Sequence, residues 1–390
     1  MSHRVALVFG ASGISGWAMA RELLRYPTPT TFSRVIALSN RPLPCDVIIL
    51  EDPRLTFVSG VNLVHSVEDV IKALREKVPS IDQITHVYWY AYAHAPTEGS
   101  QTEVNGQMLD TTLRALGETS PRLEYFLLQT GAKYYGMHLA GQITPPPIPF
   151  KEDAPRIPEP LASENIFYYR QLDIIAEHAK SATWKWNDIR PDVIVGYAPT
   201  NNPMNLALVL GVYLALYRAV HGRGAKVALP ASIIGANALN SESPADYIAR
   251  CAIWLSLHGD STLNGRGFNV AVAPSRYAER WPALAGAWGL EGVSTQQDDP
   301  SPTRAFADVL NWVGEHTEEW GTLEREHGLR PGVLEATSFD FLFVMSIPLD
   351  RILDTSAIKE AGFTEEGEPM VTYCRKVWAL FADAKVLPPL

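Results

Sequence analysis

The chain has 390 residues, 46% of them hydrophobic and 19% charged, which is enough for a large core and for two domains or one elaborated domain. Its 43 acidic and 33 basic residues give a formal net charge of -10 with no long basic run, which excludes a broad nucleic-acid surface because phosphate neutralisation needs clustered Lys and Arg. The three cysteines, Cys45, Cys251 and Cys374, are odd in number and far apart, so they fit neither a disulfide framework nor a zinc site. A reducing, cytoplasmic compartment and no metal are expected.

The chain begins MSHRVALVFG, which reads as a buried strand at residues 4–10. Its apolar run is too short for a signal peptide, so none is expected. A helix follows at 16–26, then strands at 35–39 and 55–60 and a helix at 67–78. HVYWYAYA (86–93) is a strand, NGQMLDTTLRALGE (105–118) a helix and EYFLLQTG (124–131) a strand. A helix runs from Tyr168 to about residue 180, and WNDIRPDVIVG (186–196) contains one more strand. Such alternation predicts a Rossmann-type doubly wound parallel sheet with helices on both faces. Beyond residue 200 the pattern becomes irregular and more helical. We therefore expect a nucleotide-binding domain at 1–200. A smaller, mostly helical substrate-binding region follows at 201–390, with some segments returning to the sheet. NLALVLGVYLALYRAVHG (205–222) is the most membrane-like stretch, but Arg218 and His221 interrupt it. It falls short of the roughly 20 apolar residues a span needs and reads as a buried helix. A proline-rich loop, ITPPPIPF (143–150), is the remaining oddity, and there are no repeats.

Gly10-Ala-Ser-Gly13-Ile-Ser-Gly16 leaves the first strand and opens the first helix. Glycine there permits a tight turn, close approach of backbone to a pyrophosphate, and tight helix–strand packing. The helix N-terminus adds free N–H groups and a positive dipole end. Gly10, Ser12, Gly13, Ile14 and Gly16 are thus candidate dinucleotide contacts. The end of the second strand commonly selects the cofactor, an acid there holding the ribose 2′-hydroxyl of NAD. This chain has Ser39-Asn40-Arg41 instead, with no carboxylate before Asp46, which favours NADP(H). Asn62 is a candidate for the adenine amino group and equally a simple turn residue.

Two adjacent tyrosines, Tyr168 and Tyr169, stand at the head of a helix, and the residues four further on are Leu172 and Asp173. The lysine that short-chain dehydrogenases commonly place there is missing. LLQTGAKYYG (127–136) leaves a strand at the sheet edge where catalytic groups gather, and it carries Lys133. By composition alone, Lys133 is an ordinary solvated loop cation.

The combination resembles the progesterone 5β-reductase/iridoid synthase family, an unusual branch of the extended short-chain dehydrogenases. The likeness covers nearly the whole chain: GASGISG, THVYWYAYA, EVNGQML, LQTGAKYYG, FYYRQLD, IRPDVIVGYAP, PMNL and LDTSAIKEAGF. It implies that the lysine has moved to the loop after the fifth strand, as Lys133, and that Tyr168 is the catalytic phenol. Tyr169 reads as a packed helix aromatic, Asn105 as a brace of the active-site backbone, and His138 as a bland loop residue, with proton donor as the alternative role. A phenol near pKa 10 donates poorly until a cation or burial adjusts it, and an ammonium also stabilises charge developing on a substrate oxygen.

The expected enzyme is therefore an NADPH-dependent reductase adding hydride 1,4 to a small apolar enone or enal. A homodimer is a candidate assembly. Pocket candidates are Tyr92, Tyr135, Met137, Met204 and Phe341. Trp89 and Tyr90 are better read as core. The loop from Tyr134 to Leu139, Tyr92, the proline-rich insertion and Ala236 depart from the plant pattern, so substrate preference need not carry over. The alternatives are ketone reduction, a tailoring isomerase or cyclase, and a sensor that binds NADP(H) without turnover.

Overall fold

The structure is a computed structural model and describes residues 3–43, 51–139, 141–200, 202–295 and 302–390. Cys45 and Asp46 lie outside the described residues. The described chain forms two compact units. The first comprises Met1–Asp192, Asp246–Val270 and Leu353–Glu365; the second comprises Val193–Ala245, Ala271–Ile352 and Glu366–Leu390.

The first unit is built on seven strands: β1 (Val5–Phe9), β2 (Arg34–Ser39), β3 (Leu55–Ser59), β4 (His86–Trp89), β5 (Tyr125–Gln129), β6 (Lys185–Pro191) and β7 (Gly267–Val270). They lie in the order β7-β6-β5-β4-β1-β2-β3, and every neighbouring pair is parallel. The Rossmann-type sheet expected from the alternation is thus present. Its central strands are buried on both faces, which explains their unbroken apolar runs such as VALVF and YFLL. Helices α1 (Ile14–Leu23), α2 (Val67–Lys77), α3 (Glu98–Thr119), α4 (Leu161–Asn165) and α5 (Phe167–Ala179) complete the elements that matter for the site.

Two boundaries differ from the sequence reading for identifiable reasons. The strand at 86–93 stops at Trp89, and α3 starts well before residue 105. EGSQTEV is too polar to show a helical stripe, but Thr97 and Ser100 form a capping box that starts the helix there. Strand β7, from a late segment, joins the sheet beside β6, with Gly267 opposite Asp188.

In the second unit, α6 (Leu206–His221) is the membrane-like stretch, and Leu206 to Leu216 are all buried. Asn205 caps it, its side chain accepting from Leu208 N–H and donating to the Gly196 carbonyl at 3.0 Å. No described helix is long and apolar enough to cross a membrane. Among the described residues no His/Cys/Asp/Glu group could hold a metal ion. Cys251 and Cys374 are free and buried.

Candidate active site

The turn after β1 gives each glycine a separate reason. Gly10 has φ +77, and a Cβ there would stand 2.6 Å from the Tyr90 carbonyl carbon and oxygen. A Cβ on Gly16 would stand 2.2 Å from the Gly10 oxygen, so helix and turn touch backbone to backbone. Gly13 is different: nothing of the protein comes closer than 3.4 Å to its Cβ position. The fold itself would tolerate a side chain at that position. Gly13 is the N-cap of α1 and offers no side-chain cap, which leaves the first amides of the helix, from Ile14 on, without that partner. Ser12 is half-buried beside it. Gln129, at the end of β5, donates to Ser15 Oγ at 3.0 Å, while its Oε1 is buried and takes no hydrogen bond. A cradle of this shape fits a dinucleotide.

At the end of β2, Ser39 is buried and its hydroxyl donates to the Arg41 carbonyl at 2.6 Å. That fixes the backbone and leaves Asn40 and Arg41 exposed. Asn62 uses its amide locally: Oδ1 accepts from Val64 N–H at 3.2 Å, and Nδ2 lies 2.9 Å from His65 Nε2. Its side chain closes a turn.

The two tyrosines of α5 have different fates. Tyr169 is buried; its hydroxyl donates to the Tyr134 carbonyl (2.6 Å) and accepts from Ile157 N–H (3.1 Å). That phenol is fully engaged in fastening the loop after β5 to α5. Tyr168 is half-buried, and among the described residues its hydroxyl takes no hydrogen bond. Burial raises its phenol above the ordinary range, with Tyr92 and the Glu98 carboxylate adding to the rise. It stays a neutral donor at physiological pH.

Tyr168 lies against the start of the Lys133 loop. A Cβ on Gly131 would stand 2.9 Å from the Tyr168 hydroxyl and 3.4 Å from the Pro191 oxygen. Gly131 is extended, at φ 173, so space for the phenol, not backbone strain, is the reason for glycine. We expect Gly131→Ala to displace the hydroxyl and lower kcat about tenfold with cofactor affinity unchanged. Gly117→Ala, in open space on α3, is the control. Equal rates in the two variants would remove Gly131 from the site.

Lys133 sits in the single-turn helix Ala132–Tyr135, and its ammonium pairs with Glu98 Oε1 at 3.2 Å. Asn105 is wholly buried and grips Ala93 from both sides: Oδ1 accepts from Ala93 N–H (2.9 Å) and Nδ2 donates to its carbonyl (2.8 Å). Tyr92, in the segment held this way, is 45% exposed, with its ring 5.8 Å from Phe167. His138 is exposed, its Nε2 3.3 Å from the Asn165 carbonyl. Desolvation and then the Lys133 charge lower its pKa, which keeps the ring neutral.

Beneath the loop lies a group the sequence reading did not single out. Arg190 and Asp188 point from one face of β6 as a buried pair, Nε to Oδ2 at 2.8 Å. Thr130 donates to Asp188 Oδ2 (3.1 Å), Arg190 donates to the Glu152 carbonyl (3.1 Å), and the guanidinium carbon lies 3.7 Å from the centre of the Tyr134 ring. Gly267 leaves them room, since a Cβ there would collide with both. Tyr135 is 1% exposed, stacked on Phe150 and donating to Asn269 Oδ1 at 2.7 Å. It therefore supports the loop from below. Met137 is also buried, at 9% exposure, whereas Met204 (54% exposed) and half-buried Phe341 belong to the second unit.

Residues 6–388 match the PRISE-like Rossmann-fold domain family. The chain belongs to that family. The resemblance read from the motifs is thereby borne out, over nearly the whole length it was read on. A short chain dehydrogenase of Aspergillus calidoustus is 34% identical, over 100% of this chain and 95% of its own. An (S)-8-oxocitronellyl enol synthase of Camptotheca acuminata is 29% identical, over 92% of this chain and 87% of its own. Among solved structures, the Bordetella bronchiseptica enzyme WbmH, in complex with NAD+, superposes with a TM-score of 0.56 at 16% identity, covering 97% of this chain and 98% of that one. At that identity the likeness concerns the fold.

Proposed function

We propose that this PRISE-like protein is an NADPH-dependent oxidoreductase of the short-chain-dehydrogenase type that reduces the C=C bond of a small apolar α,β-unsaturated carbonyl compound. The observation that carries this reading is the Tyr168 hydroxyl: half-buried, without a hydrogen-bond partner among the described residues, and at the head of α5 beside the loop that bears Lys133. A donor left free in a fold that uses its neighbour Tyr169 twice over has a partner yet to come. The relatives support the same chemistry, one being named as an enol synthase and others as short chain dehydrogenases.

The dinucleotide, when bound, supplies the hydride. Gly10, Gly13 and the first amides of α1 would hold its phosphates, and Asn40 and Arg41, set by the bond from the Ser39 hydroxyl, would face its ribose end. Tyr168 donates to the carbonyl oxygen, where negative charge develops as the β-carbon is reduced and an enolate forms. Lys133 adds a positive field at that oxygen. The exposed Tyr92 ring, backed by Phe167, offers an apolar face to the substrate. The β-carbon takes the hydride, and the α-carbon then takes a proton from solvent, so the product is the saturated carbonyl compound. Incubation with NADPH and a simple enone, followed by product identification, tests this reading. A saturated ketone is expected; an allylic alcohol would show 1,2-reduction of the carbonyl instead.

The cofactor choice rests on Arg41. Arg41→Ala is expected to weaken NADPH binding roughly 10- to 150-fold, the value of one charge-assisted contact to phosphate of about 1.5–3 kcal/mol, and to leave NADH binding nearly unchanged. Titration of both cofactors checks it. Equal losses would place Arg41 away from the 2′-phosphate.

A further inference from the structure

The structure gives the Lys133 ammonium one carboxylate among the described residues, that of Glu98, with Nζ 3.2 Å from Oε1. The pair is open to solvent, the side chains being 43% and 38% exposed. Exposed pairs of this kind contribute little to stability and are screened by salt. The fold therefore gains little from this contact, and its effect is on position. A lysine carries its charge on a flexible four-carbon stem, and left alone the ammonium samples many rotamers.

Glu98 is well placed to prevent that. It occupies the first turn of α3, whose start is fixed by the reciprocal hydrogen bonds of Thr97 and Ser100. Further along the same helix, Asn105 clamps both polar groups of Ala93. One helix thus braces the segment after β4 and presents an anchor to the loop after β5. The same carboxylate adds to the rise of the Tyr168 phenol pKa and opposes the fall at His138.

We propose that Glu98 is a positioning residue for Lys133, tethering the ammonium on the loop whose Gly131 borders the Tyr168 hydroxyl, so that its rotamers are restricted before substrate arrives. This inference rests on the reductase reading above and concerns a residue the motifs did not pick out. Glu98 touches no reacting atom and acts through Lys133.

Its test is a double-mutant cycle on enone reduction, with Glu98→Ala, Lys133→Ala and the pair. Glu98→Ala is expected to lower kcat about three- to tenfold, the scale set by ordering one long side chain, while the NADPH dissociation constant and thermal midpoint stay unchanged. In the Lys133→Ala background, Glu98→Ala should cause no further loss. A residue that merely stabilised α3 would slow both backgrounds alike. The proposal is overturned if Glu98→Ala turns over as fast as wild type, or if its loss persists at full size without Lys133. Either result, with Lys133→Ala still slow, leaves the reductase reading standing. A fully active Lys133→Ala would overturn the role of the lysine itself, and this inference with it.

Discussion

Replacing Tyr168 with phenylalanine is expected to lower kcat for an unactivated enone about 10²- to 10³-fold and to leave the NADPH dissociation constant nearly unchanged. A carbonyl oxygen that gains negative charge in the transition state needs a donor already aimed at it. Among the described residues the Tyr168 hydroxyl takes no hydrogen bond, and burial keeps it in its protonated form. Because burial, Tyr92 and Glu98 raise the phenol above its ordinary value of 10.0, the donor persists across the whole neutral and mildly alkaline range. Removing one such donor typically costs about 2.7–4 kcal/mol of transition-state stabilisation. Lys133→Ala should show a similar loss, and the double variant should be little worse than either single one, because the two act on one oxygen. Tyr169→Phe is the control. It removes the bond to the Tyr134 carbonyl and leaves the Ile157 N–H without an acceptor, so stability falls by roughly 1–3 kcal/mol while chemistry is largely spared. With a strongly activated enal, hydride transfer needs less help at oxygen and the Tyr168→Phe loss shrinks. Single-turnover rates on both substrate types make the comparison. Full activity of Tyr168→Phe on both, together with an inactive Tyr169→Phe, would move the catalytic phenol to Tyr169.

How much of this was legible beforehand depends on the range of the interaction. The strand–turn–helix after β1 is local, and its three glycines can be read directly because each obeys a short-range steric rule. The parallel sheet follows from alternating apolar runs, as in VALVF and RVIALS. A return of late segments to the sheet is expected, but strand β7 cannot be located because its partner, β6, lies far away in the chain; GFNV gains meaning only once Gly267 sits opposite Asp188. The start of α3 was missed for the opposite reason. Its signal, Thr97 and Ser100, is local but polar, and a search for apolar periodicity passes over it. At the site, composition could not separate Tyr168 from Tyr169; the difference lies in where each hydroxyl points, which the Tyr134 carbonyl and the Gly131 gap decide. Glu98 carried no sequence signal at all, because an acid in the first turn of a helix is ordinary. Asp188 and Arg190 did carry one. Two opposite charges at i and i+2 inside a buried strand share a face and must pair or find other partners.

That pair supports the second large prediction. Asp188→Leu strands the charged Arg190 guanidinium in the core, where burial disfavours the charge and the Asp188 carboxylate chiefly offsets that cost. Breaking a buried pair by removing one partner is expected to cost about 3–5 kcal/mol, a large share of the stability of an ordinary domain. Equilibrium urea denaturation followed by circular dichroism should show the midpoint falling steeply. The double variant Asp188→Leu/Arg190→Met should recover most of that loss, because apolar residues of similar volume remove the desolvation burden along with the attraction. Recovery of stability should not restore catalysis. Arg190 lies against the Tyr134 ring and holds the Glu152 carbonyl, and Asp188 accepts from Thr130, so the loop bearing Lys133 rests on the polar pair itself. We expect the stable double variant to bind NADPH normally and to run about tenfold slower, since a loop misplaced by a fraction of an ångström weakens the approach of Lys133 and Tyr168 to substrate. A double variant both stable and fully active would show that the pair serves only the core. An Asp188→Leu variant as stable as wild type would show that Arg190 finds another partner.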